Sequence, residues 1–143
     1  MTRLARSAIV ERSAEELYAL VEDIESYPSF LPWCAAAEVR ERSAGRTVAT
    51  LTVGVKGLRQ SFTTENLNQP GRSIKMRLLE GPFKRFSAGW RFTPLESRAA
   101  KIEFRVDYEF ANRAVATALE PLFGGIADGM VDAFSQRARG RDA

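Results

Sequence analysis

The sharpest pattern in the chain runs from 101 to 110. Ile102, Phe104, Val106, Tyr108 and Phe110 alternate with Lys101, Glu103, Arg105, Asp107 and Glu109. A strict period of two, apolar on one side and charged on the other, predicts a strand in a sheet that is covered on one face only. Less regular runs of the same kind mark strands over 3–11, 38–43, 46–56, 58–68, 73–80 and 86–95. Between them stand turn formers: Ala44-Gly45, Lys56-Gly57, Gln69-Pro70-Gly71, Gly81-Pro82 and Glu96-Ser97. Their even spacing implies successive hairpins, hence an antiparallel meander.

Two segments read as helices instead. Ser13-Ala14-Glu15-Glu16 is a capping box, in which the serine hydroxyl takes a free helix N–H and the glutamate reaches back. Leu17, Leu20, Val21 and Ile24 then share one face, and the helix is predicted to stop before Tyr27-Pro28, because the residue before proline avoids helical angles. Asn112 is a good N-cap for a second helix reaching about Arg139. Its Val115, Leu119, Leu122, Ile126, Met130 and Phe134 recur at spacings of three and four, which makes one apolar stripe. At 1.5 Å per residue that helix is about 42 Å long. The expected class is α+β: a curved seven-stranded antiparallel sheet wrapped around a long C-terminal helix, with a short N-terminal helical segment between strands 1 and 2, as one domain over 1–143.

The last helix carries an anomaly. Pro121, Gly124, Gly125 and Gly129 lie inside it. An interior proline costs about 3 kcal/mol and each glycine about 1 kcal/mol relative to alanine, roughly 6 kcal/mol together. Either the glycines let the helix approach the sheet closely, or two helices meet near Pro121, or the segment is a softened lid over a cavity, hinged at Pro121, Gly124 and Gly125. The aromatic supply fits either a cavity mouth or ordinary core that seals the rim of the sheet. Tyr27, Phe30 and Trp33 read as one loop, and Phe83 and Phe86 as another; ligand sites are mostly apolar with few polar groups. The candidate ligand-binding residues are Phe30, Trp33, Phe62, Phe83, Phe86 and Trp90, with Leu119, Phe123, Ile126 and Met130 from the helix. If the cavity exists, Phe123→Arg is expected to abolish lipid binding and leave surface contacts largely intact; equal loss of fold and ligand makes the probe uninformative.

Composition narrows the chemistry. Hydrophobic residues make up 45% and charged residues 27%, ordinary for a folded domain. There is no histidine, which removes Ser-His-Asp and Cys-His catalysis, imidazole zinc ligation and histidine pH switching. The single cysteine, Cys34, makes no intrachain disulfide, fits a reducing compartment and reads as a small apolar filler. No metal site and no cofactor are expected. An enzyme would need a buried general base, and Glu65, Glu80 and Tyr108 are the candidates. The net charge is +3, with 17 arginines and 4 lysines against 18 acids. No basic tail or cluster suggests DNA as a partner. No stretch approaches the ~20 apolar residues of a membrane span, and Met1–Arg6 lacks the apolar run of a signal peptide. The expected location is the cytoplasm, with room for peripheral contact at the inner membrane.

Three motifs carry a family resemblance. Leu17–Cys34, ending in Tyr27-Pro28-Ser29-Phe30-Leu31-Pro32-Trp33-Cys34, is the most specific. Gly81-Pro82-Phe83 followed by Trp90-Arg91-Phe92 is the second, and Met130-Val131-Asp132-Ala133-Phe134 with Arg137-Ala138 the third. Over about residues 3–139 the chain resembles the ribosome-association toxin and coenzyme-Q-binding family of the START-like, polyketide cyclase-like helix-grip superfamily. The resemblance implies an apolar tunnel between sheet and C-terminal helix. It implies non-catalytic binding of ubiquinone or a similar isoprenoid lipid in support of respiratory quinone function, with Phe83 and Trp90 placed to stack on the ring. Alternatively, it implies binding to the large ribosomal subunit that blocks subunit joining and inhibits translation initiation. Its last helix is less interrupted than the one here.

Overall fold

The computed structural model describes residues 2–55 and 57–140. Residues 1 and 141–143 of the expected 1–143 domain, and Lys56 of the expected Lys56-Gly57 turn, lie outside the described residues. The strands are β1 (Thr2–Val10), β2 (Cys34–Ser43), β3 (Arg46–Val55), β4 (Leu58–Gln69), β5 (Ser73–Glu80), β6 (Phe83–Glu96) and β7 (Ala99–Phe110). They form one curved antiparallel sheet in the order β1-β7-β6-β5-β4-β3-β2. From β2 to β7 each strand pairs with the next, as the turn spacing required. At Ala44-Gly45 the chain reverses in two residues, and Gly45 takes φ 78°, a left-handed angle that costs a side chain dearly and glycine little. The period-two strand holds throughout: Ile102, Phe104, Val106, Tyr108 and Phe110 are all buried.

Helix α1 (Ala14–Glu22) begins on the predicted box. The Glu16 N–H donates to Ser13 Oγ at 3.1 Å and the Ser13 N–H donates to Glu16 Oε1 at 3.2 Å. Those bonds hold the Glu16 carboxyl below the usual carboxylate range. The helix ends earlier than its apolar spacing suggests. A single 3-10 turn (Ile24–Ser26) intervenes, and α2 (Tyr27–Phe30) then starts at the Tyr27-Pro28 pair that was expected to end a helix. Proline is welcome in a first helical turn, where its missing N–H has no partner to lose.

Helix α3 (Arg113–Gly140) is one continuous helix with Pro121 inside it, not two. The Val115 N–H donates to Asn112 Oδ1 at 2.9 Å, so Asn112 is the expected cap. Leu119, Met130 and Phe134 are buried, and Leu122 and Ile126 pack against the same core. Polar contacts tie the helix to β1: Arg6 pairs with Asp128 at 2.6 Å and Thr2 Oγ1 donates to Glu120 at 3.4 Å. Close approach does not explain the glycines. A Cβ on Gly125 or Gly129 would meet nothing within 4 Å, and one on Gly124 would meet the Tyr108 hydroxyl at an ordinary 3.8 Å. By length and composition α3 passes as apolar enough to cross a bilayer, as core helices also do; in this fold its apolar stripe lies on the sheet.

Candidate functional site

Two hollows lie between the sheet and the helices, and neither is roomy. On the α3 side, Phe62 of β4, Phe83 and Phe86 of β6, Phe110 of β7 and Phe123 of α3 form one cluster. Phe123 stands edge-on to Phe83 at 5.1 Å, to Phe62 at 6.1 Å and to Tyr108 at 4.9 Å between ring centroids. Phe83 stacks on Phe110 at 5.1 Å. Only about 10 Å3 there is free to the centre of a water molecule, bounded by Phe62, Phe83, Leu119 and Phe123 among others. Edge-to-face rings close on one another and leave little between them. The second aromatic group surrounds Phe134. Its ring lies 5.4 Å from Tyr27, 5.3 Å from Phe30 and 5.2 Å from Trp90. Beside it, under α1, is a cleft of about 380 Å3 including its open mouth, with about 20 Å3 free to a water centre.

The expected site residues therefore separate. Phe62, Phe83, Phe86, Leu119 and Phe123 come together on the α3 side. Phe30 and Trp90 belong to the Phe134 group, and of these Trp90 lines the α1-side hollow. Trp33, Ile126 and Met130 pack on the core and line neither hollow. Pro121 and Gly125 are exposed and Gly124 is half-buried. Two placements are corrected. Phe83 and Phe86 lie within β6, not in a loop, because the strand starts three residues early and a bulge between Phe83 and Arg85 hides its period. Tyr27 and Phe30 lie in α2. The wide hollow that was expected between sheet and helix is not open in this structure, since aromatic side chains fill it. For the same reason Phe123→Arg would put a cation among five rings, so loss of binding in that variant is expected to come with loss of stability.

The α1-side hollow has a feature that sequence reasoning missed. Its walls are apolar, from Val21, Ile24, Ala49, Leu51, Ile74, Met76 and Trp90, but Thr47 of β3 and Thr64, Asn66 and Asn68 of β4 form a polar floor. The Thr64 hydroxyl donates to Asn66 Oδ1 at 2.8 Å, and Asn68 Nδ2 donates to Thr47 Oγ1 at 3.0 Å. The signal was available: Phe62, Thr64, Asn66 and Asn68 occupy alternate positions of one strand, and the first of them is apolar. At the mouth, Glu22 is held by Arg42, whose Nε lies 3.0 Å from Glu22 Oε1. The same guanidinium grips Glu25 at 2.9 and 3.0 Å, which holds the Glu25 carboxyl below its ordinary range and raises Arg42. Tyr27 donates its hydroxyl to the Val21 carbonyl, and burial pushes its phenol far up.

The candidates for a general base do not serve. Glu65 lies on the outer face between Arg46 and Arg77, each at 2.7 Å, and those hydrogen bonds hold it below the usual range as a carboxylate. Glu80 is exposed at the end of β5. Tyr108 is buried and donates to Glu120 at 3.2 Å; burial first, then the Glu120 charge, pushes its phenol up to about 12, too high for a base at neutral pH. Cys34 is buried, bonded to the Ala36 carbonyl at 3.4 Å, and burial pushes its thiol up. Among the described residues no three histidine, cysteine or acidic side chains are grouped to hold a metal.

A covered, curved sheet gripping one long helix around an apolar interior is the arrangement that the sequence motifs implied. Residues 10–135 match the family described as polyketide cyclase / dehydrase and lipid transport. The chain belongs to that family. The "Ribosome association toxin RatA" of Escherichia coli (strain K12) is 42% identical over 139 residues, covering 97% of this chain and 88% of that protein. The "Coenzyme Q-binding protein COQ10 homolog B, mitochondrial" of Xenopus laevis is 28% identical over 138 residues, covering 94% of this chain and 57% of that protein. Both names stand on the branch to which the motifs were assigned. Among solved structures, the Zhui aromatase/cyclase from Streptomyces superposes with a TM-score of 0.86 at 20% identity, covering 99% of this chain and 96% of that one. That likeness shows the family's fold.

Proposed function

We propose that the protein is a non-catalytic binder of an apolar small molecule, of the ubiquinone or isoprenoid-lipid class, held in the apolar interior between the sheet and the helices that cover it. The observation that carries this reading is the interior itself: two aromatic groups on apolar walls. The family's description as lipid transport and the name of the coenzyme-Q-binding relative support it. Because the free space is small, uptake of a ligand needs the helices over the sheet to yield, and in α3 the segment around Pro121, Gly124 and Gly125 is the weakest. The protein works in the cytoplasm on this reading. Titration with a short-chain quinone, followed through Trp33 and Trp90 fluorescence, gives saturable quenching, and native mass spectrometry of freshly isolated protein finds a co-purifying isoprenoid. Absence of both overturns the proposal.

A second reading has the stronger support from sequence identity: association with the large ribosomal subunit, as the name of the 42% identical relative says of that protein. The fold also assembles what the sequence keeps apart. Lys75 faces Gly89 across β5–β6, and Gly89 faces Arg105 across β6–β7, so two exposed cations flank a strip without a side chain, with exposed Arg91 beside it. Phosphate contacts release counterions. Co-sedimentation with large subunits that weakens as salt rises supports this role; absence from ribosome fractions at low salt removes it. The two roles use different faces and are compatible.

A further inference from the structure

Four polar side chains line the α1-side hollow, whose other sheet-side walls are hydrocarbon, and the ligand reading alone does not account for them. Thr47, Thr64 and Asn66 are 1%, 4% and 5% exposed. Buried polar groups are normally fully bonded, and one left open costs stability. Here the accounting does not close: Asn68 Oδ1 is buried and has no partner among the described residues. The hollow that Asn68 helps to line has about 20 Å3 free, room for one water-sized group. Its apolar walls on the sheet side are Ala49, Leu51, Ile74, Met76 and Trp90.

Resting on the ligand reading above, we propose that Thr47, Thr64, Asn66 and Asn68 form the polar end of the ligand site and select a molecule with a neutral hydroxyl head (a phenol, hydroquinone or alcohol) on an apolar body. A hydroxyl both donates and accepts. It satisfies the open Asn68 oxygen, and it equally satisfies the amide turned over, where Nδ2 faces the hollow. A head with acceptors only, such as an oxidised quinone, pairs with this amide only in the turned-over form, whereas a hydroxyl pairs with it either way. A charged head is excluded because no cation lines the hollow, and its one carboxylate, Glu22, is already held by Arg42. The hydroxyl takes the water-sized space, and the apolar body passes between the walls to the mouth.

The test uses the intact chain and a pair of probes that differ only in the donor, 4-propylphenol and 4-propylanisole, titrated by calorimetry. The phenol is expected to bind at least about tenfold more tightly than its methyl ether, a factor in line with losing one bond to a buried partner. In Asn68→Ala the phenol's affinity falls to that of the ether, and the ether's is unchanged. Thr64→Val, which removes a second member of the floor, narrows the gap and serves if Asn68→Ala does not fold. Equal affinities in the unaltered protein, or a gap that persists in both variants, overturn the proposal and mean that a water molecule alone occupies the hollow. Failure of both probes to bind, together with no quinone binding, overturns the ligand reading beneath it.

Discussion

Gly125 and Gly129 sit on the exposed side of α3, where an added methyl group meets nothing within 4 Å. Replacing both by alanine therefore changes the backbone's freedom and no contact. Each exchange is worth about 0.8–1.0 kcal/mol of helix propensity, so the pair should add roughly 2 kcal/mol. Unfolding entropy near 2.1 cal/mol/K per residue gives about 0.3 kcal/mol/K for a chain of this length, and the midpoint should rise by about 6–7 °C. Thermal unfolding followed by circular dichroism, with calorimetry to check two-state behaviour, reads the shift directly. Gly124→Ala places its methyl 3.8 Å from the Tyr108 hydroxyl and 3.9 Å from Glu120 and should give a similar or smaller gain. If α3 is the element that yields to ligands, the stiffened double variant also takes up a short-chain quinone more slowly at unchanged final occupancy. An unchanged or lowered midpoint would refute the claim that these glycines serve softness and not packing.

Four further outcomes follow from named contacts. Gly81→Ala puts a Cβ 2.8 Å from Phe62 Cβ and 3.1 Å from Leu78; it should cost about 1–3 kcal/mol in urea unfolding. Phe123→Arg should lower stability by about 3 kcal/mol or more, so loss of binding in that variant will come with loss of the cooperative transition. Cys34 should resist thiol reagents at neutral pH until the protein unfolds, because burial keeps it protonated. Glu65 is held below its ordinary value of 4.5 by Arg46 and then Arg77, so its contribution is present above that pH and is lost as pH falls through the lower folded value. The midpoint gap between the parent protein and Glu65→Gln should be constant at neutral pH and close in acid; a gap independent of pH would show that the two arginines do nothing for it.

Much of the fold was legible because each element carried its own signal. β3, β4, β5 and β7 are bounded by turn formers and end within a residue or two of where the sequence put them. β2 was expected to begin at 38 but starts at Cys34, because Ala35, Ala36 and Ala37 are too small to show alternation. The early residues of β6 were hidden by a bulge. Tyr27-Pro28 misled because proline both stops one helix and starts another, and only the intervening 3-10 turn decides which. The site was half legible. Aromatic residues announced an apolar interior, but not that they would meet edge-on and fill it, which depends on the sheet's curvature. The threonines and asparagines of the floor look like solvent-facing strand residues until the neighbouring strands establish which side is inside.

The strand order has a consequence for assembly. Six neighbours in the meander meet through short hairpins, yet β1 pairs with β7, from Thr2 opposite Tyr108 to Val10 opposite Ala100, across nearly the full chain. Bringing such distant partners together is slow, so this seam should zip last. Until it does, β7 offers a bare row of amides next to its most apolar face, a template for self-association. The nine residues of β1 thus act as a guard rail on the nascent molecule, and amide exchange should find that seam opening first.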